Sequence, residues 1–209
     1  MISTTDKTVF IAAGEIRFFF FLTKPPPSHS ITHETMTRDS FLKQARPLSL
    51  TARACICLHI TEAYFRKIGL SHPLVDEFFN HLWEHPLQAE PKAFSTWEAN
   101  RGDLVDFGLT DDLPDDLEEL MPTLPIDEAQ LFSIVEAPVE ILWGNFFSTP
   151  DEQTSFDYLS FSVDLADREG LIFPKIDLYQ ASLFADNNGW GKPISQPIRD
   201  LWRTDGKIN

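Results

Sequence analysis

The chain has 209 residues and a formal net charge of −15, and 43% of its residues are hydrophobic. That apolar content excludes a chain that stays unfolded, and the length suits one domain with a substantial core. The negative charge argues against nucleic acid and anionic membrane as partners, because like charges repel. No apolar run in the sequence reaches the ~18–20 residues that a membrane helix needs.

The acidic residues are unevenly distributed. Residues 102–167 contain no Lys or Arg and hold 17 of the 32 acidic residues, whereas charges nearly balance in the rest of the chain. Between residues 103 and 120, Leu and Phe alternate with carboxylates. Because the apolar residues can be buried, this pattern predicts a folded acidic surface or docking face more than a disordered acidic run.

Residues 1–35 are predicted to be an N-terminal extension that is either poorly ordered or upstream of a biological start at Met36. Their apolar run at 18–22 is interrupted on one side by Glu15 and Arg17 and ended by three prolines at 25–27. A secretion signal would need an unbroken apolar core of ~7–15 residues. A genuine extension and a secretion signal remain alternatives.

Residues 36–209 are predicted to form a single all-α domain with a less regular C-terminal segment, because helical periodicity and end signals recur. The first helix covers 39–45. A long helix follows, capped by Ser49 or Thr51 and ended by Gly69. The next is capped by Ser71 and ended by Pro86, and a further helix covers 91–100.

The strongest helix signal begins at Asp127, which has the capping-box spacing with Gln130. Its apolar stripe reaches residue 146, with a kink expected at Pro138. Thr149 is predicted to cap the following helix, with a proline in its first turn. Residues 171–184 suggest a strand pair or irregular chain, residues 187–191 a turn, and Ser195 the cap of a last helix.

One short string has the spacing of a catalytic zinc site. His81, Glu84 and His85 match the H-x-x-E-H pattern of inverted zinc proteases, in which two His bind Zn²⁺ and the Glu is the general base. Pro86 follows at once and should end the helix, and no third ligand can be assigned. The alternative is a helix end with two ordinary histidines, so no cofactor is predicted.

Three other features have structural interpretations beside functional ones. His59 and Glu62 are spaced like helical metal ligands, but the same spacing also suits a buried histidine that is hydrogen-bonded to a neighbouring acid. Cys55 and Cys57 cannot easily bridge each other and are predicted to be inert, reduced thiols, which favours the cytoplasm. Trp190, in the Asn-Gly-rich turn, is either a binding anchor or folded onto the core.

The functional prediction rests on the acidic stretch. Antitoxin and immunity proteins are often small, acidic, helical and without catalytic motifs, and by analogy this chain is expected to neutralise a basic protein such as a nuclease-type toxin. Trp97 and Phe107 are the expected aromatic anchors. The expected partner-binding carboxylates are Asp111, Asp112, Asp115, Asp116, Glu118 and Glu119. The alternatives are a solvated face that keeps the protein soluble, a cation site, a metal-dependent hydrolase using the histidine string, and a non-catalytic scaffold subunit.

Overall fold

The computed structural model describes residues 36–205, and within this range the chain is helical and contains no β-strand. The predicted all-α class is therefore confirmed. The described range contains nine α-helices: α1 (Arg38–Ala45), α2 (Leu50–Ile68), α3 (Pro73–Glu84), α4 (Pro91–Ala99), α5 (Asp103–Gly108), α6 (Asp115–Glu118), α7 (Glu128–Phe146), α8 (Glu152–Arg168) and α9 (Gln196–Asp205).

Helix α2 forms the centre of the domain. Every residue from 50 to 61 is buried, and a helix that is covered on all sides needs neighbours all round. Helices α7 and α8 supply most of that cover, with α3 and α9 on the remaining sides. The Ser49 side chain caps α2 by accepting from the Ala52 amide (3.1 Å), and Gly69 ends it in the left-handed conformation.

A fully buried arginine joins three segments around α2. The Arg53 guanidinium donates to the carbonyls of Glu152 and Arg46 and to the Ser155 hydroxyl, each at 2.7 Å. The central carbon of the guanidinium also lies 5.1 Å from the centre of the Phe184 ring. Because these oxygens solvate a cation that would otherwise be costly to bury, Arg53 fixes the start of α8 against α2.

Helix α5 approaches α7 closely because Gly108 of α5 has no side chain. A Cβ at Gly108 would come within 3.0 Å of a Val139 methyl group, closer than ordinary van der Waals contact. Phe107 meets Phe132 of α7 edge to face, with ring centres 5.5 Å apart. Helix α5, at the start of the acidic stretch, is therefore packed onto α7, which has 19 residues.

The chain after α8 is irregular but firmly attached. The isolated bridge between Leu48 and Leu183 is all that the described residues show of the strand pair considered for 171–184. Helix α9 is fixed through Trp202, whose indole donates to the Leu178 carbonyl and whose own carbonyl lies 2.8 Å from Nε2 of His59.

Two predicted helix starts are wrong. Helix α3 is capped by His72 instead of Ser71, since the His72 ring nitrogen accepts from the Leu74 amide (3.3 Å). Helix α8 is capped by Asp151, whose carboxylate accepts from the Thr154 amide (2.9 Å), so Pro150 precedes the helix. The predicted capping box at Asp127 is confirmed.

Helix α7 continues on both sides of Pro138, and the kink predicted there stays a prediction. The prediction for residues 1–35 lies outside the described residues. Within the described range, no helix combines the length and the apolar character that crossing a bilayer requires.

Candidate functional site

The six carboxylates predicted to bind a partner lie within nine residues, 111–119, which we call the acidic segment. All six of these residues are exposed: Asp111, Asp112, Asp115, Asp116, Glu118 and Glu119. Two leucines between them, Leu113 and Leu117, are only 7% and 1% exposed. Since the leucines point into the core, the carboxylates between them are held on the outside of a packed segment.

The acidic segment takes part in no ion pair within the described residues. None of its six carboxylates forms an ion pair with a described Lys or Arg, although many other surface acids do. The basic residue just before it in sequence, Arg101, is engaged by Glu98 (2.7 Å) and by Asp106. Those two carboxylates raise the pKa of Arg101. Within residues 36–205, the negative charge of the acidic segment is therefore not neutralised by an ion pair.

The two aromatic residues expected to anchor a partner beside these carboxylates are buried. Trp97 is 7% exposed and Phe107 is 2% exposed. The Trp97 indole donates to the His81 carbonyl (2.8 Å), and Phe107 packs against α7. Neither ring offers an exposed face, because Phe107 packs against Phe132 and Trp97 packs among His81, Trp143 and Phe146. The exposed side chains of the acidic segment are its six carboxylates.

The zinc-like string does not assemble a metal site. His81 stacks on Trp97, with ring centres 4.6 Å apart, whereas Glu84 accepts a hydrogen bond from Arg199 of α9. Helix α3 ends at Glu84, as the proline at 86 predicts. No group of three or more His, Cys, Asp or Glu side chains among the described residues could hold a metal ion.

The other paired residues have structural contacts. The imidazole of His59 is hydrogen-bonded at the Trp202 carbonyl and meets Trp83 edge to face, with ring centres 4.8 Å apart. Cys55 and Cys57 are free thiols buried in α2. Burial raises the pKa of both thiols, that of Cys57 to about 12, which makes them poor nucleophiles.

A separate feature is a cleft of about 630 Å³ between the end of α3, the start of α4, the end of α7 and the chain that precedes α9. This volume lies within the usual range of small-molecule sites. Its wall includes four rings: His85, Phe94, Phe146 and Trp190. Trp190 stacks on Phe146, with ring centres 5.2 Å apart and planes at 15°. Both interpretations of Trp190 thus have a basis, because its ring packs on the domain and also lines the cleft.

The loop that carries Trp190 has an uncommon backbone. Asn187 and Asn188 have φ of 48° and 49°, and Gly191 has a φ of 80°. A Cβ at Gly191 would lie 2.3 Å from the Ser182 hydroxyl oxygen, and the Trp190 carbonyl accepts from Thr51 (2.9 Å). The positive φ values fit the turn predicted for residues 187–191, and the close contacts fix this loop beside the cleft.

His85 occupies a buried position at the cleft wall. Its ring, in a residue only 9% exposed, lies 5.3 Å from Trp97, 5.5 Å from Phe146 and 5.6 Å from Trp190, measured between ring centres. Burial, and to a smaller extent the neighbouring His81, lower the pKa of His85 to about 3. The imidazole is therefore neutral at physiological pH.

Some residues of this cleft were identified individually from the sequence, but the cleft that they form together was not predicted. Its rings are separated by up to about a hundred residues in the chain, and only folding brings them together. The one local signal was the turn at 187–191, whose residue types fit positive φ. Comparison of the chain with protein-family models, curated proteins and solved structures gave no match.

Proposed function

We propose that this protein binds a basic protein through the acidic segment and thereby neutralises it. The observation that supports this most directly is the set of six exposed carboxylates that have no ion pair within the described chain. Two buried leucines hold them in place, so their charge is presented by a folded surface.

Electrostatics gives such a surface a clear role in recognition. Uncompensated carboxylates attract a cationic surface before contact and raise the association rate, and salt weakens this attraction because the Debye length is only about 8 Å at physiological ionic strength. Mutual repulsion among the six carboxylates in the free protein would be relieved on binding. A cationic partner therefore gains from both effects.

The partner class that fits this chemistry is a protein whose own binding cleft is cationic, such as a nuclease-type toxin. An array of carboxylates imitates the phosphates that such a cleft binds. On this proposal the protein acts like an immunity protein or antitoxin in the cytoplasm, and the two reduced, buried thiols suit that compartment.

A matched pair of charge variants tests the proposal. The segment variant carries Asp111→Asn, Asp112→Asn, Asp115→Asn and Asp116→Asn. The control variant carries Asp76→Asn, Glu77→Gln, Glu90→Gln and Asp167→Asn, which replace exposed acids without an ion pair to a described residue. Both variants lose four negative charges from the same net charge of −15.

The wild-type protein and both variants are used as bait in lysate of the source cell at low ionic strength. We expect a basic protein that the wild type and the control variant retain and that the segment variant loses. Purified, that partner should bind the wild type in a defined stoichiometry and lose its own activity. Equal retention by all three baits would show that only net charge matters and would refute the proposed surface.

A further inference from the structure

The aromatic cleft, which shares no residue with the acidic segment, has the features of a small-molecule site. We propose that it binds a small, uncharged, planar ring compound that both donates and accepts hydrogen bonds. This inference is independent of the proposed partner, because none of the six carboxylates lines the cleft.

The planar shape follows from the rings around the cleft. Trp190 and Phe146 form one stacked pair, and Phe94 meets Phe146 edge to face with ring centres 4.7 Å apart. Aromatic faces and edges favour a flat ligand, since offset-stacked and edge-to-face contacts add energy beyond the area they bury. The uncommon backbone of residues 187–191 fixes the Trp190 side of this wall before any ligand arrives.

The absence of ligand charge follows from the charges of the cleft. Lys192 and Asp186 line its rim and lie 3.9 Å apart, so each offsets the other. Deeper in the wall, His85 stays neutral because burial opposes its protonation. A charged ligand would lose hydration here without gaining an unpaired counter-charge, which is costly.

The hydrogen-bonding character follows from polar side chains that the fold leaves without partners. Neither the imidazole of His85 nor the side-chain amide of Asn187 makes a hydrogen bond within the described part of the chain, yet both residues line the cleft. Gln88 donates to the Glu84 carbonyl (3.0 Å), which leaves its own side-chain oxygen as an acceptor. A neutral imidazole can donate from one nitrogen and accept at the other. A ligand with both functions would supply hydrogen-bond partners to these side chains as it enters the cleft.

Binding is tested on the full chain with nicotinamide and adenine as neutral planar probes and nicotinate as the anionic analogue of the first. The readout is the indole N–H signal of Trp190 in two-dimensional NMR, assigned with Trp190→Phe. Trp202 serves as the internal control, because it does not line the cleft and is only 1% exposed, with its indole N–H hydrogen-bonded to the Leu178 carbonyl.

Two matched substitutions locate the binding site. Ala89→Phe adds bulk at an exposed alanine that lines the cleft, and Ala93→Phe adds the same bulk at an exposed alanine of α4 outside it. Neither removes a buried group, so both variants should keep the fold, which thermal unfolding checks.

We expect at least one neutral probe to shift the Trp190 signal saturably, with a Kd of about 1 mM or below as for small fragments, and to leave Trp202 unmoved. Ala89→Phe should weaken that binding about tenfold or more, equivalent to about 1.4 kcal/mol, and Ala93→Phe should leave it unchanged. The proposal is overturned if neither probe gives a saturable shift, if Ala89→Phe binds like the wild type, or if nicotinate binds as tightly as nicotinamide.

Discussion

Acidification should destabilise the protein through His85 before most carboxylates begin to titrate. The imidazole is buried, and its pKa falls from an ordinary value of 6.5 to about 3 in the folded state. Between these values the unfolded chain binds a proton that the folded chain does not. Stability from the buried neutral imidazole is therefore complete above the unfolded pKa and is lost as the pH decreases below it.

The size of the effect follows from the two pKa values. Between about pH 7 and pH 5 the free energy of unfolding should decrease by about 2 kcal/mol on account of His85 alone, since the loss approaches about 1.4 kcal/mol per pH unit once the pH is below the unfolded pKa of 6.5. His81 adds to the same trend, because burial also lowers its pKa.

The assay compares the wild type with His85→Gln by urea denaturation at several pH values. The variant keeps a polar side chain and retains His81 and every carboxylate, so subtracting its curve isolates His85. We expect the difference in unfolding free energy to change by about 2 kcal/mol across the window. A difference that is independent of pH would show that the imidazole is solvated and would refute the buried, neutral wall described for the cleft.

Substitutions at three further positions test the local contacts of the fold. Leu117→Ala should lower the free energy of unfolding in urea by about 2–4 kcal/mol, because the side chain is 1% exposed; a loss near zero would mean that the acidic segment is not anchored. Asp127→Ala should cost about 1 kcal/mol by removing the capping box, whereas Asp127→Asn should cost less; equal losses would argue against the cap. Gly191→Ala should lower the melting temperature and cost about 1–3 kcal/mol, because of its positive φ and the contact with Ser182; an unchanged Tm would contradict the fixed loop.

The parts of the fold that the sequence predicts are those decided by neighbouring residues. Ser49, Gly69 and the pair Asp127–Gln130 mark helix ends because each acts on backbone groups a few residues away. The missed starts have local causes too. His72 caps α3 through a ring nitrogen, which is not a usual capping group. Asp151 is a favoured capping residue, but the Thr149–Pro150 pair is also a start signal, so residue preferences alone leave both starts open.

The candidate sites also differ in how far neighbouring residues in the sequence determine them. The alternation of leucines and carboxylates correctly predicted an anchored segment with its acids outside, because the buried positions could be read along the chain. The burial of Trp97 depends on its neighbours in space, among them Trp143 with ring centres 5.2 Å apart. The cleft depends on residues from α3, α4 and α7 meeting the 187–191 loop, which only the tertiary fold determines.

The rate of association with the purified basic partner, measured against ionic strength, tests the role of the acidic segment most directly. For the wild type and the control variant we expect fast association at low salt that slows strongly as salt is added, because exposed charges are screened. The segment variant should associate more slowly at low salt and depend less on salt. If the three proteins give superimposable rates at every ionic strength, the partner does not bind at the acidic segment.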